Sequence, residues 1–140
     1  MPDPEKIATV VSEWVAKAEN DLKAATISLR AGRECPTDAV CFHAQQVVEK
    51  YLKALLTAHG KPFPKTHNIG KLVELLPANA RVNLSEDEQD ILTDYATGAR
   101  YPGWGEISLA DSRKAVAIAR RLRREVRKLL PSQALRGRKQ

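Results

Sequence analysis

The chain is short of the residues from which small proteins most often build a staple or a reactive site. Its 140 residues include two cysteines, Cys35 and Cys41, three histidines, one methionine and seven aromatic side chains. Two cysteines make no disulfide framework, and neither sits in a recognisable nucleophile context. Cys41 and His43 lie two apart on a predicted helix and point in nearly opposite directions. Cys35, His59 and His67 lack ligand spacing too, so no metal is expected. The glycine-rich phosphate loops GxxxxGK[ST] and GxGxxG are missing, as is the G-x-S-x-G elbow, and no cofactor is expected. No apolar run approaches the ~18 residues of a membrane span. The start, MPDPEKIATVVSEW, mixes charges early and lacks the layout of a secretion signal. A cytoplasmic protein with no membrane partner is the expectation.

Acidic residues are scarce at one end only. Residues 1–112 hold 12 Lys/Arg against 16 Asp/Glu, whereas 113–140 hold 11 against Glu125 alone. The net charge of +6 therefore belongs to the C-terminal end, which suits a phosphate-bearing or acidic partner.

There is no internal repeat and no alternating run long enough for a strand. Five helices are predicted instead. The first runs from about Pro4 to Ala31, with Ile7, Val11, Trp14, Ala18, Leu22, Ala25 and Leu29 recurring at steps of three and four. The second lies between Pro36 and Gly60, with a core stripe of Val40, Ala44, Val47, Val48, Tyr51, Leu52 and Leu55. A short third helix covers about Ile69 to Leu76, capped by Asn68 and stopped by Pro77. The fourth opens on the capping box Ser85–Glu88. The fifth opens at Ser108 and buries Ala115, Ile118, Ala119, Leu122, Val126 and Leu129. Short connections between such helices predict an all-α, up-and-down antiparallel four-helix bundle with an additional short helix, one domain over residues 1–131. Residues 132–140 read as a disordered basic tail.

Three places carry candidate chemistry. On the second helix Phe42, Gln46 and Glu49, with Lys53, form a stripe away from the core, where Gln46 is expected to meet solvent. An apolar residue on that polar stripe suggests a second interface. Gln45, at the edge of the core face, is expected to bond a neighbouring helix. Lys65 and His67 stand at the mouth of the third helix, where free N–H groups favour an anion, or where His67 simply packs the loop. The connector ARYPGWGE (99–106) holds Arg100, Tyr101 and Trp104. It either packs the bundle end, or presents a guanidinium to phosphate and two rings to a base. The cluster Arg120, Arg121, Arg123, Arg124, Arg127 and Lys128 is a solvated face or a phosphate contact, with Arg120, Arg124 and Arg127 the nearest candidates.

Several of these stretches together resemble the HEPN family (higher eukaryotes and prokaryotes nucleotide-binding domain). Trp14, Ala18, Asp21, Leu22 and Ala25 are similar to its W-x3-A-x2-DL-x2-A first helix. FHAQQVVEKYLKALLTAHGK, residues 42–61, resembles its F-x-AQQ-x2-EK-x-LKA-L helix. The likeness continues through Lys65-Thr66-His67, Asp94-Tyr95 and Ala99-Arg100-Tyr101-Pro102, covering roughly residues 10 to 130. It implies a helical bundle, usually a homodimer, that binds nucleotide or RNA and is often paired with a minimal nucleotidyltransferase in a toxin–antitoxin-like unit. Many such proteins are metal-independent endoribonucleases with an R-x4-6-H motif. That motif is absent here: counted from Arg100, the histidine's places hold Gly105, Glu106 and Ile107. Catalysis would need a non-standard site, a composite of Arg100 with His67, or Glu106. A non-catalytic partner or substrate-binding subunit of a nucleotidyltransferase is the other alternative.

Overall fold

A computed structural model describes residues 3–136. Six helices run in order: α1 (Pro4–Leu29), α2 (Thr37–Ala58), α3 (Ile69–Glu74), α4 (Glu86–Ala96), α5 (Leu109–Leu129) and α6 (Ser132–Leu135). Short 3₁₀ turns follow α1, α3 and α4, and no strand occurs among the described residues.

The helix ends are where local chemistry puts them. Asp3 caps α1 by accepting from the Glu5 N–H, with Pro4 in the first turn. Gly32 and Gly60 take positive φ, 58° and 66°, just past α1 and α2. Asn68 caps α3, Ser85 and Glu88 complete their box at α4, and Ser108 caps α5 through the Asp111 N–H. α1, α2, α4 and α5 alternate in direction as an up-and-down bundle.

α2 is the centre of that bundle. α1, α4 and α5 pack around it, and every residue of its expected stripe is buried. Burial extends beyond the stripe to Gln45, Gln46, Glu49 and Lys53, so α2 is enclosed nearly all round. The expectation that Gln46 meets solvent is therefore corrected. The connection after Gly60 folds over that side of α2, and Phe63 from it stands edge-on to Trp14 of α1, centroids 6.2 Å apart.

Two expectations at the C-terminus change. Leu129 is 38% exposed while Leu130 is 7% exposed. Leu130 precedes Pro131, which forces it out of helical geometry (φ −89°, ψ 150°), and the extended residue swings inward instead. The chain also does not turn irregular at 132. Ser132–Leu135 form one more helical turn that packs on α1 and buries Ala134. Residues 137–140 of the expected tail lie outside the described residues.

Candidate nucleotide site at the bundle end

The connector between α4 and α5 leaves the helix through Thr97 (φ −121°, ψ −100°) and makes a 3₁₀ turn at Gly98–Arg100. Gly103 and Gly105 then take φ of 99° and 97°, angles that a side-chain-bearing residue adopts only with strain. Between this connector and the turn after α1 opens a cleft of about 770 Å³, lined among others by Arg33, Arg100, Tyr101, Glu106 and Ser108. The first residues of α2 and α5, Thr37, Asp38 and Leu109, also reach its wall. The positive ends of two long helix dipoles and the guanidinium groups of Arg33 and Arg100 there face two carboxylates, Asp38 and Glu106.

The question posed by the connector has a divided answer. Arg100 lays its guanidinium on the Phe42 ring, Cζ 4.3 Å from the centroid, while remaining exposed. The contact holds the charge at the cleft without neutralising it. Tyr101 stands 69% exposed on the rim. Trp104 is 43% exposed and lies against Gly98; it does not line the cleft. One ring is thus free to stack and the other is partly used in packing. Phe42 is covered by Arg100, which explains the apolar residue on the polar stripe.

Around Glu49 the structure builds a second polar cluster. Its carboxylate accepts from Gln45 Nε2 (3.0 Å), Lys53 Nζ (3.0 Å) and the His67 ring (Nδ1, 2.8 Å). Gln45 also donates to the His67 carbonyl (3.0 Å), and Gln46 donates to Gln45 (2.7 Å). The Lys53 ammonium sits 5.5 and 5.7 Å from the centres of the Trp14 and Phe63 rings. Burial pushes the Glu49 carboxyl up, but hydrogen bonds from Gln45, His67 and Lys53 outweigh it and hold it below the ordinary 4.5. Of the expected partner face, Gln46 and Glu49 are bonded within the chain, where Glu49 fastens the 61–68 connection to α2, while Phe42 stays half-buried under Arg100.

The anion site expected at the mouth of α3 finds its donors occupied. The Ile69 N–H goes to the Thr93 hydroxyl and the Lys71 N–H to Asn68. Lys65 is exposed beside them. No contact joins His67 and Arg100 among the described residues. Their contacts on α2, Glu49 and Phe42, are seven residues apart, roughly 10 Å of helix rise.

The basic helix divides in the same way. Arg123 grips Glu19 with two hydrogen bonds (2.7 and 2.8 Å), and Arg127 donates to the Tyr51 hydroxyl (3.1 Å), which donates to Glu19 (2.6 Å). Arg121 pairs with Glu88 (2.7 Å). Of the three expected phosphate contacts, Arg127 is thus engaged in the bundle. Arg120 is exposed and donates to the Thr26 hydroxyl (2.8 Å), and Arg124 is exposed. Among the described residues no group of three or more His, Cys, Asp and Glu side chains could hold a metal ion. Cys41 is buried beside Tyr95, and burial pushes its thiol up to about 12, which leaves it unreactive. Arg33 was not singled out in the sequence; a lone cation after a helix-ending glycine carries no signal of the cleft it joins.

An up-and-down bundle wrapped round one buried helix, with a cleft at the end where α4 passes into α5, defines a small helical domain with a candidate site among its loops. The model of the HEPN domain family matches residues 11–129, and the chain belongs to that family. Membership supports a nucleotide- or RNA-related function in general terms. The crystal structure of TT1696 from Thermus thermophilus is similar, with a TM-score of 0.73 and 26% identity over 87% of this chain and 99% of that one. No curated protein matches the sequence. Among the described residues no helix is long and apolar enough to cross a membrane.

Proposed function

We propose that the protein binds a nucleotide or RNA in the cleft between the α4–α5 connector and the turn after α1. One observation carries this reading: Arg100, held on the Phe42 ring yet exposed, shares the cleft with Arg33 and the free face of Tyr101. A guanidinium offers paired donors to a phosphate, and an exposed aromatic ring adds about 1–3 kcal/mol per stacked base. The family resemblance supports a homodimer and a minimal nucleotidyltransferase as partner.

Arg100→Ala tests the reading. A charged hydrogen bond contributes about 1.5–3 kcal/mol, so the dissociation constant for adenosine 5′-monophosphate should rise about 10- to 100-fold. Helix content should stay constant, because the exposed cation–ring contact contributes only about 0.5–1 kcal/mol. Calorimetric titration beside circular dichroism distinguishes the cases. A variant that melts earlier but binds unchanged per folded molecule assigns Arg100 to packing and sinks the site.

A further inference from the structure

A second cationic surface lies outside the cleft. Between α1 and α5 runs a shallow groove of about 480 Å³, lined by Glu19, Lys23, Thr26, Ile27, Arg30 and Arg120, with Leu22 at its base. Its one acid is already answered: Glu19 takes both hydrogen bonds of Arg123 and that of the Tyr51 hydroxyl. Arg120 keeps an exposed guanidinium steadied on Thr26. Lys23 and Arg30 are exposed and their side chains have no ion pair or hydrogen bond among the described residues, and the same holds for Arg124, one turn beyond Arg120 on α5. Arg30 of the groove and Arg33 of the cleft stand three residues apart in the chain just past the end of α1.

The chemistry of this surface selects among partners. Ile27, 57% exposed, is its one large exposed apolar side chain, too little for the apolar centre of a protein interface or for insertion into a lipid surface. Cations set along two helices, Lys23 on α1 with Arg30 at its end, and Arg120 and Arg124 on α5, instead match a partner with a row of negative charges. A mononucleotide in the cleft is too short to reach them. We propose that the α1–α5 groove carries the phosphate backbone of a single-stranded RNA whose terminal or flipped-out nucleotide occupies the cleft, with Lys23, Arg120 and Arg124 as backbone contacts and Ile27 as a platform against a sugar or base. This rests on the cleft reading above and adds the ligand's length and path.

The test uses the full chain and two probes, adenosine 5′-monophosphate and a single-stranded oligoadenylate of about a dozen nucleotides, within the span of known single-strand sites. Wild type should bind the oligonucleotide at least tenfold more tightly than the monophosphate. The variant Lys23→Gln/Arg120→Gln/Arg124→Gln changes only exposed side chains. It should bind the monophosphate as wild type does and the oligonucleotide about tenfold or more weakly. The slope of log affinity against log salt should fall by about 2, since each lost single-strand phosphate contact removes about 0.7. Arg100→Ala should weaken both probes. A triple variant with wild-type oligonucleotide affinity and slope overturns the groove proposal while leaving the cleft intact. If neither probe responds to Arg100→Ala, the cleft reading fails and the proposed path falls with it.

Discussion

Replacing Glu49 with alanine should lower the melting temperature by about 10–20 °C. The substitution leaves the Lys53 ammonium buried between Trp14 and Phe63 without its carboxylate. It also strips Gln45 and the His67 ring of a shared acceptor. Breaking a buried ion pair from one side costs about 3–5 kcal/mol, and the stated fall follows for a domain of this size. The double variant Glu49→Leu/Lys53→Met removes both charges and should recover much of the loss. A fall of only a degree or two on thermal melting would show that the cluster contributes nothing to stability.

Glu49 and the separately bonded Glu19 shape the acid limb of stability. Burial raises the carboxyls of Glu49 and Glu19, yet their hydrogen-bond partners outweigh it, and both lie below 4.5 in the folded chain. A depressed folded value contributes stability that is complete above 4.5 and is lost as pH falls through the folded values. Melting temperature should therefore hold down to about pH 5 and then drop. In Glu49→Gln the drop should be smaller, because one of the depressed carboxyls no longer titrates.

Metal-free cleavage of single-stranded RNA by the wild-type protein should stay within about tenfold of background. A general base acts within about 2.6–3.2 Å of the proton it takes, or through one water, and such a group is worth about 10²–10⁴-fold. Arg100 rests on Phe42 and His67 on Glu49, roughly 10 Å apart along α2. On that spacing, a phosphate held by Arg100 is expected to lie beyond hydrogen-bond reach of the imidazole. His43, the nearer in sequence to Phe42, has its Nδ1 on Asp21 of α1 (2.8 Å). His67→Ala should leave the residual rate unchanged within about twofold, against the hundredfold typical of a lost base. Robust cleavage abolished by His67→Ala would move the site to a composite of Arg100 and His67, and would require the 61–68 connection to leave Glu49.

Much of the fold was legible in the sequence because it is local. The Ser85–Glu88 box, the Asn68 and Ser108 caps and the glycines after α1 and α2 act within one turn of chain. The buried stripes of α1 and α2 follow from a spacing that any window of the sequence displays. The family motif in α2 was legible too, but not its purpose. A helical repeat fixes the angle of Gln46, Glu49 and Lys53 about their own axis. It is silent on what covers that angle, and here it is covered by Trp14 of α1 and by Phe63 and His67 of the 61–68 connection.

The same limit governs the site. Arg100, Tyr101 and the cationic bias of α5 are properties of the sequence. Which cations remain free is not, because Arg123 and Arg127 are bound by Glu19 and Tyr51, more than seventy residues away, while Lys23 and Arg124 find no acid among the described residues. The sequence set the helices, their ends and the charges they carry, since these depend on neighbours within a turn or two. Only the tertiary structure decided which of those charges are spent in holding the bundle together and which are left for a ligand, since that depends on helices that meet only when the chain has folded.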